Sequence, residues 1–532
     1  MKNYLIILMI LGSSFANSQI IETSITAQDL PNLVPGYNQV SSINQQSLNF
    51  TYDLPPAPPT PVDGDTTTEG NGPLKYGITI PTNFILANGN YTQTSSGIVW
   101  TLSIKVTGGA KNIGLTFDSL HLSPNAQLYL YNVSKTILLG PVKAQNLGQS
   151  TVLTAPACRD SILYVYIIET DSSSFHSSFF ISKLIAGFVD LDNINEQGAR
   201  IAFNTSCMQH VQCFDKMLYA HAVCRIEVGG FQGSGTLINN ENNSARPFLL
   251  TAFHVIDANG DNQISTDEIE NLRTAAFRFQ FWRTTCSGDI INNGFYFTGA
   301  VLRATRPTHG ASDMALLEVT DNPGIADGVT YAGWNNSTSA PSNNNSFVIH
   351  HPEGKDMRLT QTSSVGSYIF SDEFWQAYYQ NGSATAPGSS GSALFNGGNQ
   401  IVGQLLGGWS ACGIGFGDRY GKFSKSWNGG GTNDTRLSNW LSPVQNLSSM
   451  NLFDPSTITI QGSDAVTCSG STQYSTSNNL FDINYAWSVT SNLQIGSGQG
   501  TSTITVNRVG NNNGPGTITL TLTSGKVITE FL

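Results

Sequence analysis

The sequence predicts a mostly β protein of several domains. Charged residues make up only 11% of the chain, against an ordinary share of about 25%. Helix formers are scarce and β-branched residues are common. Short apolar runs alternate with period two between Gly, Asn and Ser clusters, as half-buried strands do. At 532 residues the chain exceeds a single domain of roughly 150 residues. Its formal charge of -11, from 36 acidic and 25 basic residues, argues against nucleic acid or an anionic membrane as the main partner.

The elements follow in order. Residues 1–18 read as a signal peptide, with Lys2 as the positive start, an apolar run from Tyr4 to Leu11, and Ala16-Asn17-Ser18 fitting the small-x-small cleavage rule before Gln19. The run is shorter than the roughly 20 residues needed to span a bilayer, and no later stretch is long enough. A secreted, not membrane-spanning protein is expected. Its seven cysteines should then form disulfides, with at least one left over. No CxxC pair occurs, which argues against a zinc ribbon. Residues 19–72 are polar and contain the run Pro55-Pro56-Ala57-Pro58-Pro59-Thr60-Pro61. That composition predicts an extended or disordered segment. Residues 73–200 carry strand patterns at 100–106, 127–131 and 162–168, spaced as in a β-sandwich. Residues 201–450 hold most of the histidines and cysteines. Residues 455–532 form a last β region. There Cys468 precedes Trp487 at an immunoglobulin-like distance, but no second cysteine follows, so an Ig-like module without a core disulfide is expected.

Three short motifs in 201–450 carry chemistry. Serine is a weak nucleophile and needs a base, a group that orients the base, and backbone N–H donors for the oxyanion. Ala386-Pro387-Gly388-Ser389-Ser390-Gly391-Ser392 has the glycines that let the backbone turn tightly beside a serine. His254 ends the apolar run Phe248-Leu249-Leu250-Thr251-Ala252-Phe253. Asp313 stands just ahead of Met314-Ala315-Leu316-Leu317. Taken singly, these are a Gly/Ser turn, a structural histidine and a strand-initiating turn. Together they give the order His, Asp, Ser of chymotrypsin-type enzymes, with gaps that suit one double β-barrel. His254 is then general base and acid, Asp313 orients it, and Ser390 attacks.

At these residues the chain resembles the lysyl endopeptidase branch of the trypsin-like serine proteases over about residues 201–445. That branch has Gly-Ser-Ser-Gly-Ser, here Gly388 to Ser392, where trypsin has Gly-Asp-Ser-Gly-Gly. Ile349-His350-His351-Pro352, Gly403-Gln404-Leu405 and Arg436-Leu437-Ser438-Asn439-Trp440-Leu441 also match in register. The region 73–191 looks like the family's pro-region. The resemblance implies an oxyanion hole from the backbone N–H groups of Gly388 and Ser390. It implies a pocket carboxylate at Asp418 beside Leu406, Gly407 and Gly408, and the disulfides Cys207–Cys412 and Cys213–Cys286. A buried carboxylate there would pair with a lysine ammonium and leave an apolar side chain unrewarded. The chain departs from the family in having Leu406 where a histidine is expected, and Val255 where a cysteine would follow the catalytic histidine. An aromatic pocket partner is not evident near Ser367 to Phe370. The resemblance thus implies a secreted, monomeric endopeptidase cutting protein and peptide substrates after basic residues, lysine over arginine. The rival is a catalytically silent trypsin-fold binding protein using its Ig-like domain, against which an intact triad argues.

Two further features stand out. Asp257, Asn259, Asp261, Gln263, Ser265 and Glu268 occupy the oxygen-donor positions of an EF-hand loop, with Asn262 where glycine is usual. This predicts a structural Ca2+ site directly after His254. Trypsin-like zymogens switch on when a new N-terminal amine pairs with the aspartate before the nucleophile. Ser389 stands there, so that switch is absent. Cleavage after Arg200 in Gln197-Gly198-Ala199-Arg200-Ile201 would release the pro-region.

Overall fold

The structure is a computed structural model. It describes residues 19–44, 50–54, 73–189, 205–321, 323, 328–341, 345–467, 470–510, 514–522 and 527–531. Residues 1–18, read above as a signal peptide, the proline-rich run 55–61, the linker 197–201 and Cys468 lie outside the described residues.

The N-terminal region is a sandwich. One sheet holds Gly97–Thr107, Ile162–Thr170, Ala126–Asn132 and Ile137–Val142; the other holds Leu153–Arg159, Asn112–His121, Ser178–Gly187 and Gly77–Ile85. Alternation divides the first sheet's side chains between two cores. Trp100, Leu102, Ile104, Leu128, Leu130, Val165 and Ile167 face the second sheet. Val99, Tyr129, Tyr131, Tyr166 and Ile168 point the other way.

That second apolar face overturns the expectation of disorder throughout 19–72. Residues 19–44 and 50–54 are ordered. Helices Leu30–Leu33 and Tyr37–Asn44 cover the face with Leu30, Val34, Tyr37 and Val40, and Tyr166 donates its hydroxyl to Pro35 O at 2.7 Å. A polar segment with a few apolar residues cannot bury them alone. A waiting sheet face supplies the partner that composition does not reveal.

Strand Ile20–Ser24 pairs on one side with Ile137–Val142 and on the other with Phe295–Thr298. The sandwich sheet therefore runs into the sheet of the next domain, a 15-stranded sheet among the described residues. Glu22 on this strand accepts from Tyr296 Oη at 3.2 Å and pairs with the buried Arg278 at 3.1 Å. Strand Leu74–Lys75 adds a second junction by pairing with Phe231 and Gln232.

The double barrel follows. The first barrel runs in the order Phe295–Thr298, Ala276–Phe279, Val223–Val228, Phe231–Leu237, Phe248–Ala252, Met314–Val319 and Ala300–Arg306. In the second, Ala393–Phe395 pairs with both Phe347–His350 and Ile401–Gly408. Its ring closes through Arg358–Ser367, Phe374–Tyr379 and Asp418–Lys422. The C-terminal module is two antiparallel sheets around Trp487, Ile504, Val506, Ile518 and Leu520. Among the described residues no helix is long and apolar enough to cross a membrane.

Cys207–Cys412 and Cys213–Cys286 are bonded, as the resemblance implies. Cys224 is a fully buried thiol whose burial pushes its pKa well up, so it stays protonated and inert. The Cys207–Cys412 bridge spans 205 residues and ties the segment preceding Asp418 to the start of the domain. Replacing both cysteines by alanine should lower the unfolding free energy by about 2–4 kcal/mol in urea titration. An unchanged transition midpoint would contradict that role.

Candidate active site

Strand register brings the first two groups together. Ala252 pairs with Met314 across antiparallel strands. The residues just beyond each, Phe253 and Asp313, therefore meet, and Phe253 N donates to Asp313 O at 3.1 Å. The short helix Phe253–Ile256 then turns His254 over the carboxylate. His254 N donates to Asp313 Oδ1 at 3.1 Å, and His254 Nδ1 lies 2.8 Å from Oδ2. A carboxylate only accepts, so Nδ1 carries the hydrogen, and in a neutral ring Nε2 is the nitrogen with the lone pair. Nε2 is buried and has no hydrogen-bond partner among the described residues. Asp313 is fully buried, has a positive φ of 53° and also accepts from Thr308 Oγ1 at 2.7 Å. From the second barrel, Gln404 Nε2 holds the carbonyls of Ser312 and Asp313 at 2.7 and 3.2 Å.

The serine turn is held by the first barrel. Ser234 N donates to Ser390 O at 2.8 Å, and Ser234 Oγ donates to Gly388 O at 2.9 Å. Gly391 N donates to Leu405 O at 2.9 Å. A β-carbon on Gly391 would fall 2.1 Å from Thr251 Oγ1 and 2.8 Å from Ala252 N, and its φ is +81°. The turn is thus pressed against the strand that delivers His254, at a distance only glycine permits. On the other side, a β-carbon at Gly233 would lie 2.8 Å from Val255 and 3.2 Å from Ser390 O. Gly233 leaves the space that a larger residue facing Val255 would need.

Asp418, which alone reads as a solvated turn residue, is fully buried at the start of strand Asp418–Lys422. Its Oδ2 accepts from Tyr379 Oη at 2.8 Å, Thr385 Oγ1 at 2.6 Å and Ser410 Oγ at 2.6 Å, and Oδ1 accepts from Ser410 N at 3.1 Å. All four donors are neutral. Burial, with the charge of Asp418 second, holds the phenols of Tyr379 and Tyr420 well above their ordinary pKa, so both stay protonated. Gly408 pairs with Asp418, and a β-carbon there would fall 2.4 Å from Oδ1. Leu406 and Gly407 lie on the same strand, Ile401–Gly408. Trp409, Ile414 and Phe416 line an apolar hollow just beyond this strand. Ile369 and Phe370, within the stretch Ser367 to Phe370, are 82% and 79% exposed.

The loop 257–268 is ordered by its own backbone. Asp257 accepts from Gly260 N and Asn262 N, both at 2.9 Å, and Asn262 takes the left-handed φ of 66°. Asn259 Oδ1 accepts from Asp261 N, and Asp261 Oδ1 accepts from Gln263 N, each at 2.9 Å. Ser265 caps helix Thr266–Arg273 and shares a capping box with Glu268. Glu268 Oε1 reaches back to Asn259 N at 3.3 Å. Among the described residues no group of three or more His, Cys, Asp and Glu side chains is gathered to hold a metal ion.

Sequence reasoning named His254, Asp313, Ser390 and Asp418 but missed the groups that hold them. Ser234 had a local sign in Gly233-Ser234-Gly235. Tyr379, Thr385 and Ser410 had none, because they converge on Asp418 from separate strands and loops. Alanine at Gly391 is expected to destabilise the domain by at least about 2 kcal/mol, read by thermal melting. It should also displace Ser390, read as loss of labelling by a serine-directed fluorophosphonate.

Comparison with known proteins agrees with this geometry. Residues 197–424 match the family model of the lysyl endopeptidase C-terminal domain, and residues 454–526 match a PKD-like domain. A lysyl endopeptidase of Pseudomonas aeruginosa is 30% identical over 208 residues, which cover 37% of this chain and 41% of that protein. Among solved structures, the serine endoprotease from Yersinia pestis is 18% identical with a TM-score of 0.26, covering 39% of this chain and 60% of that one. An inactive form of Rv3671c from M. tuberculosis H37Rv is 14% identical with a TM-score of 0.24, covering 43% and 91%. At these TM-scores neither structure bears on the assignment. Residues 197–424 are therefore similar to the lysyl endopeptidase C-terminal domain, and residues 454–526 to a PKD-like domain.

Proposed function

We propose that the protein is a secreted serine endopeptidase that cuts after basic residues, lysine before arginine. The observation that carries this reading is the His254–Asp313 pair, delivered by the strand against which the turn of Ser390 is pressed at Gly391. In this reaction Ser390 Oγ attacks the scissile carbonyl while His254 Nε2 takes its proton. Asp313 stabilises the imidazolium, and the N–H groups of Gly388 and Ser390 receive the oxyanion. His254 then protonates the leaving amine, and water repeats the cycle on the acyl-enzyme.

Asp418 supports the substrate class. Neutral donors leave its charge uncompensated until a cation arrives. Three donors crowd Oδ2 and one meets Oδ1. That leaves room for a compact ammonium rather than for a planar guanidinium fork gripping both oxygens. The loop after His254 is read as a calcium site. Burial, with the nearby charges of Glu268 and Asp261, pushes the Asp257 carboxyl up, a strain that a bound cation would relieve.

Ser390→Ala should abolish fluorophosphonate labelling and cleavage of lysine peptides. If wild type neither labels nor cleaves, the endopeptidase reading fails and a silent binding protein takes its place. Asp418→Asn should lower kcat/KM for lysine substrates by at least about 100-fold while labelling at Ser390 persists; an unchanged lysine preference across a peptide library would remove Asp418 from the pocket. Calcium chelation should lower the melting temperature by several degrees, and equal melts with and without chelator would argue against a site at 257–268.

A further inference from the structure

The residue before the nucleophile is Ser389, where a trypsin-like enzyme has the aspartate that an N-terminal amine must neutralise. A serine cannot form that ion pair, yet Ser389 is fully buried and something must fix it. Its hydroxyl accepts from Ala386 N at 3.2 Å and lies 2.7 Å from His350 Nδ1. The other ring nitrogen, His350 Nε2, lies 3.1 Å from Thr360 Oγ1, which donates to Ala384 O at 3.1 Å. His350 and Ser389 have no exposure, and Thr360 has 1%.

Donor and acceptor roles settle the hydrogens. Ala386 N–H can only donate, so the one hydrogen of Ser389 Oγ is left for His350 Nδ1. Nδ1 is then the bare nitrogen and Nε2 carries the hydrogen toward Thr360. Thr360 in turn gives its hydrogen to Ala384 O. Ser389 Oγ and Thr360 Oγ1 each accept one bond and give one, and Thr360 Oγ1 also lies 3.3 Å from Ser383 Oγ. The loop leaves the serine turn at Ala386 and returns to it at Ala384. A neutral imidazole uses every hydrogen of this arrangement, whereas a second ring hydrogen would turn the Ser389 hydroxyl hydrogen away from Nδ1 and leave it without the partner seen here. Burial, with His351 and Arg358 adding to it, pushes the His350 imidazole down to about 3, so it is neutral at any working pH. The next residue reinforces the hold: His351 N donates to Ser234 Oγ at 3.0 Å, and Ser234 Oγ donates to Gly388 O.

We propose that His350 is a positioning residue that acts through Ser389 to hold Gly388 and Ser390 in place, so that the turn is set by a neutral hydrogen-bond ring rather than by a charge pair with a new N-terminus. The inference rests on the serine endopeptidase reading and deepens it. The ring closes within the second barrel, so the turn does not wait for an amine released by cleavage elsewhere. In the oxyanion step the backbone N–H groups must already point at the developing charge, since reorganising them at that moment raises the barrier. Loosening Ser389 therefore weakens binding of the transition state while the lysine pocket keeps its ground-state grip.

The test uses the full chain and four variants: His350→Phe, Ser389→Ala, Thr360→Val and Thr360→Ser. Wild type is assayed first on a lysyl peptide amide and with a fluorophosphonate; an inert wild type defeats the endopeptidase reading itself. Given an active wild type, Ser389→Ala and Thr360→Val should lower kcat about 10- to 100-fold with KM changed less than about threefold. Thr360→Ser, which keeps the hydroxyl, should stay near wild type. Affinity for a lysyl peptide aldehyde, which forms a tetrahedral adduct, should fall with kcat. Affinity for a simple alkylammonium in the pocket should not. Retained kcat in both Ser389→Ala and Thr360→Val would overturn the proposal. So would parallel loss of aldehyde and alkylammonium binding, which would mark a general structural role. If His350→Phe does not fold, the smaller variants decide.

Discussion

Ser234 is the point on which the two barrels agree. It belongs to the first barrel, yet its N–H, hydroxyl and carbonyl are all engaged around the site. The N–H holds Ser390 O, the hydroxyl holds Gly388 O and receives His351 N, and the carbonyl receives Thr251 Oγ1. Buried polar groups are costly unless paired, so these bonds fix the register of one barrel against the other. The His254–Asp313 pair is built wholly in the first barrel by the Ala252–Met314 pairing. The serine turn is built wholly in the second. The two halves of the candidate site thus come from different barrels, and Ser234 is where they are aligned.

The immediate surroundings of the serine turn and of Asp418 are held mainly by neutral groups. Around the serine turn the hydrogen bonds run through a neutral histidine, the hydroxyls of Ser234, Thr360 and Ser389, and backbone groups. Around Asp418 they run through two hydroxylated side chains, a tyrosine and one amide. The carboxylate of Asp313 faces the imidazole of His254. That of Asp418 is met by neutral donors alone. A preorganised site of this sort needs its dipoles fixed before charge develops, and burial of nearly every member supplies that rigidity.

The N-terminal region is bound into the fold more tightly than a covering domain need be. Strand Ile20–Ser24 is shared between the sandwich and the first barrel, and Glu22 on it meets the buried Arg278 and Tyr296. The strand Leu74–Lys75 lies on Phe231 and Gln232, next to Gly233 and Ser234. The segment nearest the chain start therefore helps to complete the sheet that supports the site.

Much of this was legible without coordinates. Period-two alternation marked the sandwich strands, and the His, Asp and Ser motifs pointed to the candidate site because each carries its chemistry within a few residues. The Gly388-to-Ser392 run declared a tight turn for the same reason. The order of residues 20–44 was not legible, since a few apolar side chains in a polar segment become structural only when a sheet face is there to receive them. Nor were the partners of Asp418, which come from Tyr379, Thr385 and Ser410, nor the ring that joins Ser389 to His350 and Thr360. Local chemistry is written in neighbouring residues. Satisfying a buried polar group depends on which distant residues arrive beside it, and only the packed chain decides that.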